Sequence, residues 1–480
     1  MQLILALGAA SSRLYVLDTR KILASLFVLY GLIAVAITAF VVPPFQHPEE
    51  VNHLMRASQL AGGHLMGLRF LDQKPGQQTR LTAGGMVDPA IASAARPFVP
   101  LIFHPEIRVT RAMWAPQAHW SNSTELHAFP NTVVYPPFFY APAALAILAG
   151  RATRMTIVQT LITARILTGL AAILIGAVAI ALAETAAVWI FTVLLLPMSM
   201  DIMASLSQDG LMVACSALAG ALLLRTLQNT SHRRNTAFVT LTVLLGLVAM
   251  ARPPYIVLAA LPLAARTIPW RKRLLAAAVS AAGVIAWSAL TGVMDLTNIG
   301  VTFGADPQAQ MAIFYAHPLA FAPVLWRTLC GGWFGLLQQA IGYLGWEDTA
   351  LPPAYYACAI AALGVAAIGS ITSPLPNAAQ PVSTPARTLI LAALLLASLG
   401  IFASLYVIWT RPGFPWVGGV EGRYFLPLAL IGAALFAPEQ TTRASARRQW
   451  HKLCVMAAAI FPIATLGVMA NTFVFRYYLN

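Results

Sequence analysis

The amino-acid sequence predicts an all-α polytopic membrane protein, and three observations carry that reading. Apolar residues make up 59% of the 480 and charged residues 10%, with a mean hydropathy of +0.73. A water-facing domain carries roughly 25% charged residues, so too few are present to coat such a surface. Charge-free runs recur at Ile22–Val42, Leu274–Met294, Leu389–Thr410 and Leu453–Phe473. Each is about as long as a helix that crosses ~30 Å of hydrocarbon, and a buried core helix seldom stays apolar on every face for so long. The basic residues gather in short loops between apolar runs, as the positive-inside rule requires. The net charge of +14 is therefore a topology signal and does not point to nucleic acid.

Residues 1–21 read as a cytoplasmic N-terminus. Arg13, Arg20 and Lys21 precede a first crossing at 22–42 that is too long for a cleavable signal. The other strong basic clusters are Arg225/Arg233/Arg234, Arg266/Arg271/Lys272/Arg273 and Arg443/Arg447/Arg448/Lys452. Clusters on one side must be separated by an even number of crossings. Five apolar candidates lie between Lys21 and Arg225: Ile22–Val42, Val133–Gly150, Ile166–Ala183, Thr185–Met200 and Gly210–Leu224. One must not cross. Val133–Gly150, headed by Pro136 and Pro137, is assigned to the outer face as an amphipathic or re-entrant helix. Ala237–Ala251 and Pro253–Ala265 form a hairpin turning outside at Arg252. Among Leu274–Met294, Leu329–Trp346, Pro352–Ser373, Leu389–Thr410 and Phe425–Pro438, the Gly-rich Leu329–Trp346 is the non-crossing member. Leu453–Phe473 is the last span. The sum is about 11 crossings (range 11–13) by the length and charge rules, with the N-terminus inside and the C-terminus outside.

Residues 43–155 form a long first extracytoplasmic loop carrying amphipathic, interfacial helices. A multi-helix transmembrane region follows over 156–480, with outer loops near 295–350 and 409–424. In this topology all 16 acidic residues except Asp18, Glu184 and Glu439 fall outside or at the outer membrane edge. Loops as long as the first usually have a function. Cys215, Cys330, Cys358 and Cys454 have no paired spacing, which argues against a disulfide framework or a zinc site. Asn122-Ser123-Thr124 is a formal glycosylation sequon without other support. No Walker loop, dinucleotide fingerprint, His-Glu-x-x-His or Gly-x-Ser-x-Gly occurs.

Four constellations are candidates to carry chemistry. After the first crossing, Pro43, Pro44 and Pro48 end the helix and start another with Glu49 and Glu50 in its first turn. Glu49, His53 and Arg56 then share a face at i, i+4 and i+7; the bland alternative is a capped interfacial helix with solvated charges. Asp201 and Ser207-Gln208-Asp209 lie at the ends of two crossings, where ionisable groups are costly, or Asp209 merely caps a helix. Gly418-Gly419-Val420-Glu421-Gly422-Arg423-Tyr424, preceded by Arg411, offers backbone access and a guanidinium suited to a lipid phosphate. The bland reading there is an arginine snorkelling to headgroups. Gly342-Tyr343-Leu344-Gly345-Trp346-Glu347-Asp348 is the weakest, because aromatics at an interface are often simple anchors.

These motifs occur in an order that resembles a bacterial family of multi-pass membrane proteins labelled as a domain of unknown function, itself similar to the GT-C glycosyltransferases. The resemblance rests on Pro48-Glu49-Glu50-Val51-Asn52-His53, Arg56-Ala57, Gly62-Gly63-His64-Leu65 and Tyr135-Pro136-Pro137-Phe138. It continues in Pro197-Met198, Ser207-Gln208-Asp209, Arg252-Pro253-Pro254-Tyr255, Leu344-Gly345-Trp346 and Gly422-Arg423-Tyr424-Phe425-Leu426-Pro427. Glu49 stands where the family usually has Asp, and Ser58 where it often has Tyr.

The resemblance implies a GT-C-like bundle and an inverting, lipid-phosphosugar-dependent glycosyltransferase of the bacterial inner membrane, with its site facing the periplasm. The expected catalytic residues are Glu49, Glu50 and His53. Substrate or phosphate binding is expected from Arg56, Tyr135, Asp209, Arg252, Arg411, Arg423 and Tyr424. Metal use is open, with Glu49 and Asp209 as candidates for a divalent cation and no certain cofactor. The expected partners are a polyprenyl phosphate-linked donor, a glycan, glycolipid or protein acceptor, and membrane lipids. The rival classes are a transporter or flippase of a lipid-linked glycan and a non-catalytic partner in surface polysaccharide assembly. A transporter predicts charges deep within spans, whereas here they sit mostly at outer edges.

Overall fold

The computed structural model describes residues 2–72, 80–121, 123–228, 234–295, 304–375, 379–439 and 444–479. Asn122 of the sequon and the basic residues Arg233 and Arg443 lie outside them. Helix α1 (Gln2–Val41) contains the first membrane-length segment, Thr19–Val41. It stops where Pro43 and Pro44 remove backbone donors. α2 (Glu50–Ala61) follows at once.

The first loop then departs from the expectation of helices alone. β1 (Leu68–Asp72), β2 (Arg80–Val87) and, after the short helices α3 (Ala90–Ala95) and α4 (Arg111–Trp114), β3 (Glu125–Ala128) form an antiparallel sheet in the order β1-β2-β3. Leu68 pairs with Gly84 and Gly84 with Ala128. A Cβ at Gly84 would lie 1.8 Å from the His127 carbonyl oxygen, so only glycine permits this approach. Glycines weaken a strand pattern in sequence, which is why the sheet was not expected.

α5 (Ala141–Ala152) is too short to cross, in keeping with its assignment to one face. Thr156 opens α6 (Ile157–Leu182) with a reciprocal capping box to Gln159. α7 (Ala187–Leu194) and α8 (Pro197–Met203) belong to a broken segment bent by 79°. α9 (Gln208–Gln228) and α10 (Arg234–Ala251) lead into a 3₁₀ segment, Pro253–Ala264. α11 (Trp270–Asp295), α12 (Pro307–Ala316) and α13 (Phe321–Gly342) precede the two-residue strands β4 (Tyr343–Leu344) and β5 (Thr349–Ala350). α14 (Pro353–Ile371), α15 (Thr384–Ile408), the short α16 (Leu426–Ile431) and α17 (Ala444–Tyr477) complete the chain.

The protein is thus an all-α polytopic membrane protein. Its helix count differs from the expected 11 to 13: eight described helices are long and apolar enough to cross, or nine if the bent pair is one span. The expected crossings at Pro253–Ala265 and Phe425–Pro438 correspond to the shorter apolar helices Pro253–Ala264 and Gly422–Phe436. Prolines keep the first of these in 3₁₀ geometry, where 12 residues rise ~24 Å, short of the ~30 Å core. α13 has helical length but its polar and glycine content keeps it off the set of candidate spans.

α9 is the central helix. Its most apolar window is 89% buried, against 22–50% for the other seven. It packs on α6, α10 and α16. Asp209, in its first turn, is therefore carried by the most buried of the membrane-length helices.

Candidate functional site

The site assembles where the first loop, the start of α9, the α10 exit, the β4–β5 turn and the approach to α16 meet. Glu49 occupies the N-cap position of α2 with φ 57°, a left-handed conformation unusual for a non-glycine residue. The helix thus starts at Glu50, two residues after the Pro48 start the sequence predicts, so Glu49 precedes its first turn and points to a different partner from Glu50. Asn52 Nδ2 donates to Glu49 Oε2 at 2.5 Å and to Asn131 Oδ1 at 3.0 Å. Burial raises the Glu49 carboxyl above its ordinary range, against the lowering pull of Asn131, Asn52 and Arg423.

Glu50 is turned into the bundle. Arg165 of α6 holds both its oxygens, at 2.8 and 2.6 Å, and neither side chain is exposed by more than 1%. Burial alone would raise the Glu50 carboxyl, but Arg165, His47 and His53 hold it below the usual value. His47 pairs in turn with Asp201 at 3.4 Å.

His53 bonds Tyr140 Oη through Nδ1 at 2.6 Å and stacks on Tyr135 with ring centroids 6.0 Å apart. Burial takes its pKa down to about 4, so the neutral ring is the resting form. Burial likewise pushes the Tyr135 phenol up to about 12. Arg56 is fully buried and donates to Gln59 Oε1 at 2.5 Å, the Leu65 carbonyl at 3.0 Å and the Tyr135 carbonyl at 2.8 Å. It ties α2 to the loop carrying Tyr135.

Asp209, Arg252, Arg423 and Tyr424 come together. Arg252 Nη2 lies 3.2 and 3.4 Å from the two Asp209 oxygens, and Arg423 Nε lies 3.8 Å from Oδ2. The Arg252 guanidinium covers the Tyr424 ring at 3.8 Å, and that of Arg423 lies 5.8 Å from the same ring. Arg411 is placed elsewhere on the approach loop, exposed, with its side chain running over Gly304.

Two further site residues, Glu347 and Glu421, lie in the candidate constellations but are assigned no role by the sequence. Glu347 Oε1 lies 3.3 Å and Glu421 Oε2 2.6 Å from Arg423. Glu347 sits in the β4–β5 turn at φ 58°, after Gly345 at φ 66°. Trp346 Nε1 bonds the Phe45 carbonyl at 3.1 Å, and Asp348 pairs with Arg476 at 3.0 Å, so both neighbours anchor the turn. Burial takes the Glu347 carboxyl up to about 7; Arg423 opposes that rise, while Glu421 and Asp209 reinforce it. Its signal in the sequence was the Gly-Trp-Glu-Asp tetrad, quoted above as the weakest motif.

Glu49 makes no direct ion pair with this group but feels its charges: Arg423 pulls its pKa down and Glu421 pushes it up. Two arginines thus face three carboxylates, Asp209, Glu347 and Glu421, and these side chains keep 12–26% exposure. Among the described residues, no group of three or more His, Cys, Asp or Glu is arranged to hold a metal ion. Beside the site runs an apolar groove of about 410 Å³ between α13 and α15, lined by residues including Leu329, Trp333, Leu336, Leu399 and Phe425. Gly422 presses the Arg423 turn onto α13: a Cβ there would stand 2.1 Å from the Leu336 carbonyl oxygen and 2.4 Å from the Ala340 nitrogen.

The chain belongs to the family described as predicted membrane protein DUF2142, which matches residues 32–431. No curated protein and no solved structure shows significant similarity to it.

Proposed function

We propose that this protein is a GT-C-type glycosyltransferase that moves a sugar from a polyprenyl phosphate carrier to a glycan, glycolipid or protein acceptor on the periplasmic side of the inner membrane. The observation that carries the reading is the convergence of Arg252 and Arg423 on Asp209, with Glu49 within the electrostatic reach of Arg423. Guanidinium groups suit a lipid-linked phosphate, which they bind through paired hydrogen bonds. The neighbouring apolar groove suits a prenyl tail, and its wall shares the α13 contact that seats Arg423.

In this mechanism Arg423 and Arg252 hold the donor phosphate. Glu49 accepts the acceptor hydroxyl proton while that oxygen bonds to the anomeric carbon from the face opposite the phosphate. The carbon–oxygen bond to phosphate breaks, its electron pair stays on the phosphate, and the arginines stabilise the added charge. The product is inverted. A carboxylate raised toward neutrality is a stronger base than an ordinary one, and such help is worth ~10²–10⁴-fold. Glu50, closed onto Arg165, supports the placement of Glu49. His53, neutral and fixed by Tyr140, orients the loop carrying Tyr135.

The test is incubation of purified protein with a panel of polyprenyl phosphosugars and a crude lipid-glycan acceptor. Free polyprenyl phosphate and labelled glycan should appear in equal amounts. Ion-coupled glycan flux in proteoliposomes without donor cleavage would replace this reading with a transporter.

A further inference from the structure

Arg423 is already occupied by carboxylates. Glu421 Oε2 lies 2.6 Å from Nη2 and Glu347 Oε1 lies 3.3 Å from Nε. Yet Arg423 Nε, Glu347 Oε1 and Glu421 Oε2 are buried atoms that make no hydrogen bond of proper geometry. Glu421 also hydrogen-bonds Glu347 and Tyr424, but these atoms meet Arg423 by charge rather than by aimed bonds, and an anion offering better-aimed oxygens would replace them there. The turn that presents Glu347 is fixed on both sides, by Trp346 on Phe45 and Asp348 on Arg476, while the Glu347 backbone is held at φ 58°. Glu347 is therefore aimed at Arg423 by its surroundings rather than by its own preference.

The charged groups that face Glu347 are Arg423 from the Gly422–Phe425 turn, Glu421 ahead of that turn, and Asp209 from α9. Glu49 feels the charges of the same Arg423 and Glu421, and Asp348 is engaged by Arg476. Removing Arg423 from this set by giving it another anion leaves Glu347 beside carboxylates and a phosphate. A carboxyl in that position binds a proton. Its resting value of about 7 agrees with a group that exchanges protons near neutrality.

We propose that Glu347 and Glu421 are a resident counter-ion of Arg423, which the substrate phosphate displaces as Glu347 takes up one proton from solvent. This rests on the assignment of Arg423 to a lipid phosphate. It makes Glu347 a positioning residue that keeps Arg423 aligned in the empty site and neutralises itself when the substrate arrives. No bond to carbon or phosphorus changes; one carboxylate and one solvent proton become one carboxylic acid.

Titration calorimetry of the full-length protein with farnesyl methyl phosphate tests this. That phosphodiester keeps one charge at every pH used. Binding is measured near pH 8 in two buffers of different ionisation enthalpy. The wild type should take up close to one proton, and its affinity should weaken by up to tenfold per pH unit above neutrality, following linkage. Glu347→Gln should bind more tightly than wild type at that pH, with no proton uptake and a flat pH profile. Binding by wild type without proton uptake overturns the inference and needs no variant. So does uptake that persists in Glu347→Gln. The absence of any binding, in wild type and in Glu347→Gln alike, removes the phosphate assignment itself and the inference with it.

Discussion

Two buried arginine–carboxylate clusters lie within this fold, and they are built to opposite specifications. Arg165 gives Nε and Nη2 to Glu50, Nη1 to the Val42 carbonyl at 2.7 Å and Nη2 also to the Pro43 carbonyl at 2.9 Å. Its donors are aimed and its exposure is nil. Arg423 meets three carboxylates at 2.6 to 3.8 Å, keeps 13% exposure, and its Nε makes no proper hydrogen bond. The first cluster is closed and fixes the α1–α2 corner against α6. The second is less directed: Arg423 meets its carboxylates at close range, but its Nε and the Glu347 and Glu421 oxygens nearest it make no aimed hydrogen bond. The boundary between them falls between two adjacent residues, Glu49 and Glu50. The difference teaches that residue type says little about role here; the satisfaction of each donor says much more.

That contrast is breakable. Glu50→Ala leaves Arg165 charged and unpaired in the bundle, which should cost about 3–5 kcal/mol and show as loss of folded protein in thermal unfolding in detergent. A double replacement, Glu50→Leu with Arg165→Met, should recover much of that stability, because well-packed apolar pairs replace buried ion pairs at little cost. Arg423→Ala should behave the other way. The fold should survive with near wild-type melting, while sugar transfer falls by ~10²–10³ as charge stabilisation of the leaving phosphate is lost.

A smaller effect comes from pH. As the proposed base Glu49 would work in its ionised form, and burial raises its carboxyl. Transfer should therefore decline on the acid side as pH falls through that raised value, at higher pH than an ordinary carboxylate would give. A pH–rate profile of transfer checks this. The Glu50 term in stability should have a different window. Its folded value is depressed, so its contribution is full above the unfolded carboxylate value and is lost as pH falls through the folded one. Smallest of all, Tyr140→Phe removes the hydroxyl bonded to His53 and should cost about 1 kcal/mol in thermal unfolding, with transfer changed little.

Much of the fold was legible in the sequence because membrane spans obey few rules. Charge-free runs of fixed length and basic loops located the long helices. The count was less legible: Pro253–Ala264 and Gly422–Phe436 are as apolar as spans but shorter than the eight membrane-length helices. The β1-β2-β3 sheet left little pattern, since Gly84 and Gly85 interrupt its middle strand. At the site, Glu49, Asp209, Arg252, Arg423 and Tyr424 were visible as polar residues at span ends. Arg56 was visible too, but its role as a tie to the Leu65 and Tyr135 carbonyls depends on loop paths that spacing does not encode. Glu347 reaches Arg423 from a different loop, and a contact that distant in the chain has no local signature.

The central claim is that Glu49, beside the less directed cluster, acts as the base while Glu50, in the closed one, does not. Sugar transfer from a polyprenyl phosphosugar by Glu49→Gln tests it most directly, measured beside thermal unfolding of the same preparation. The account predicts a fall of ~10²–10⁴-fold with melting close to wild type. Full transfer by a folded Glu49→Gln protein would contradict it.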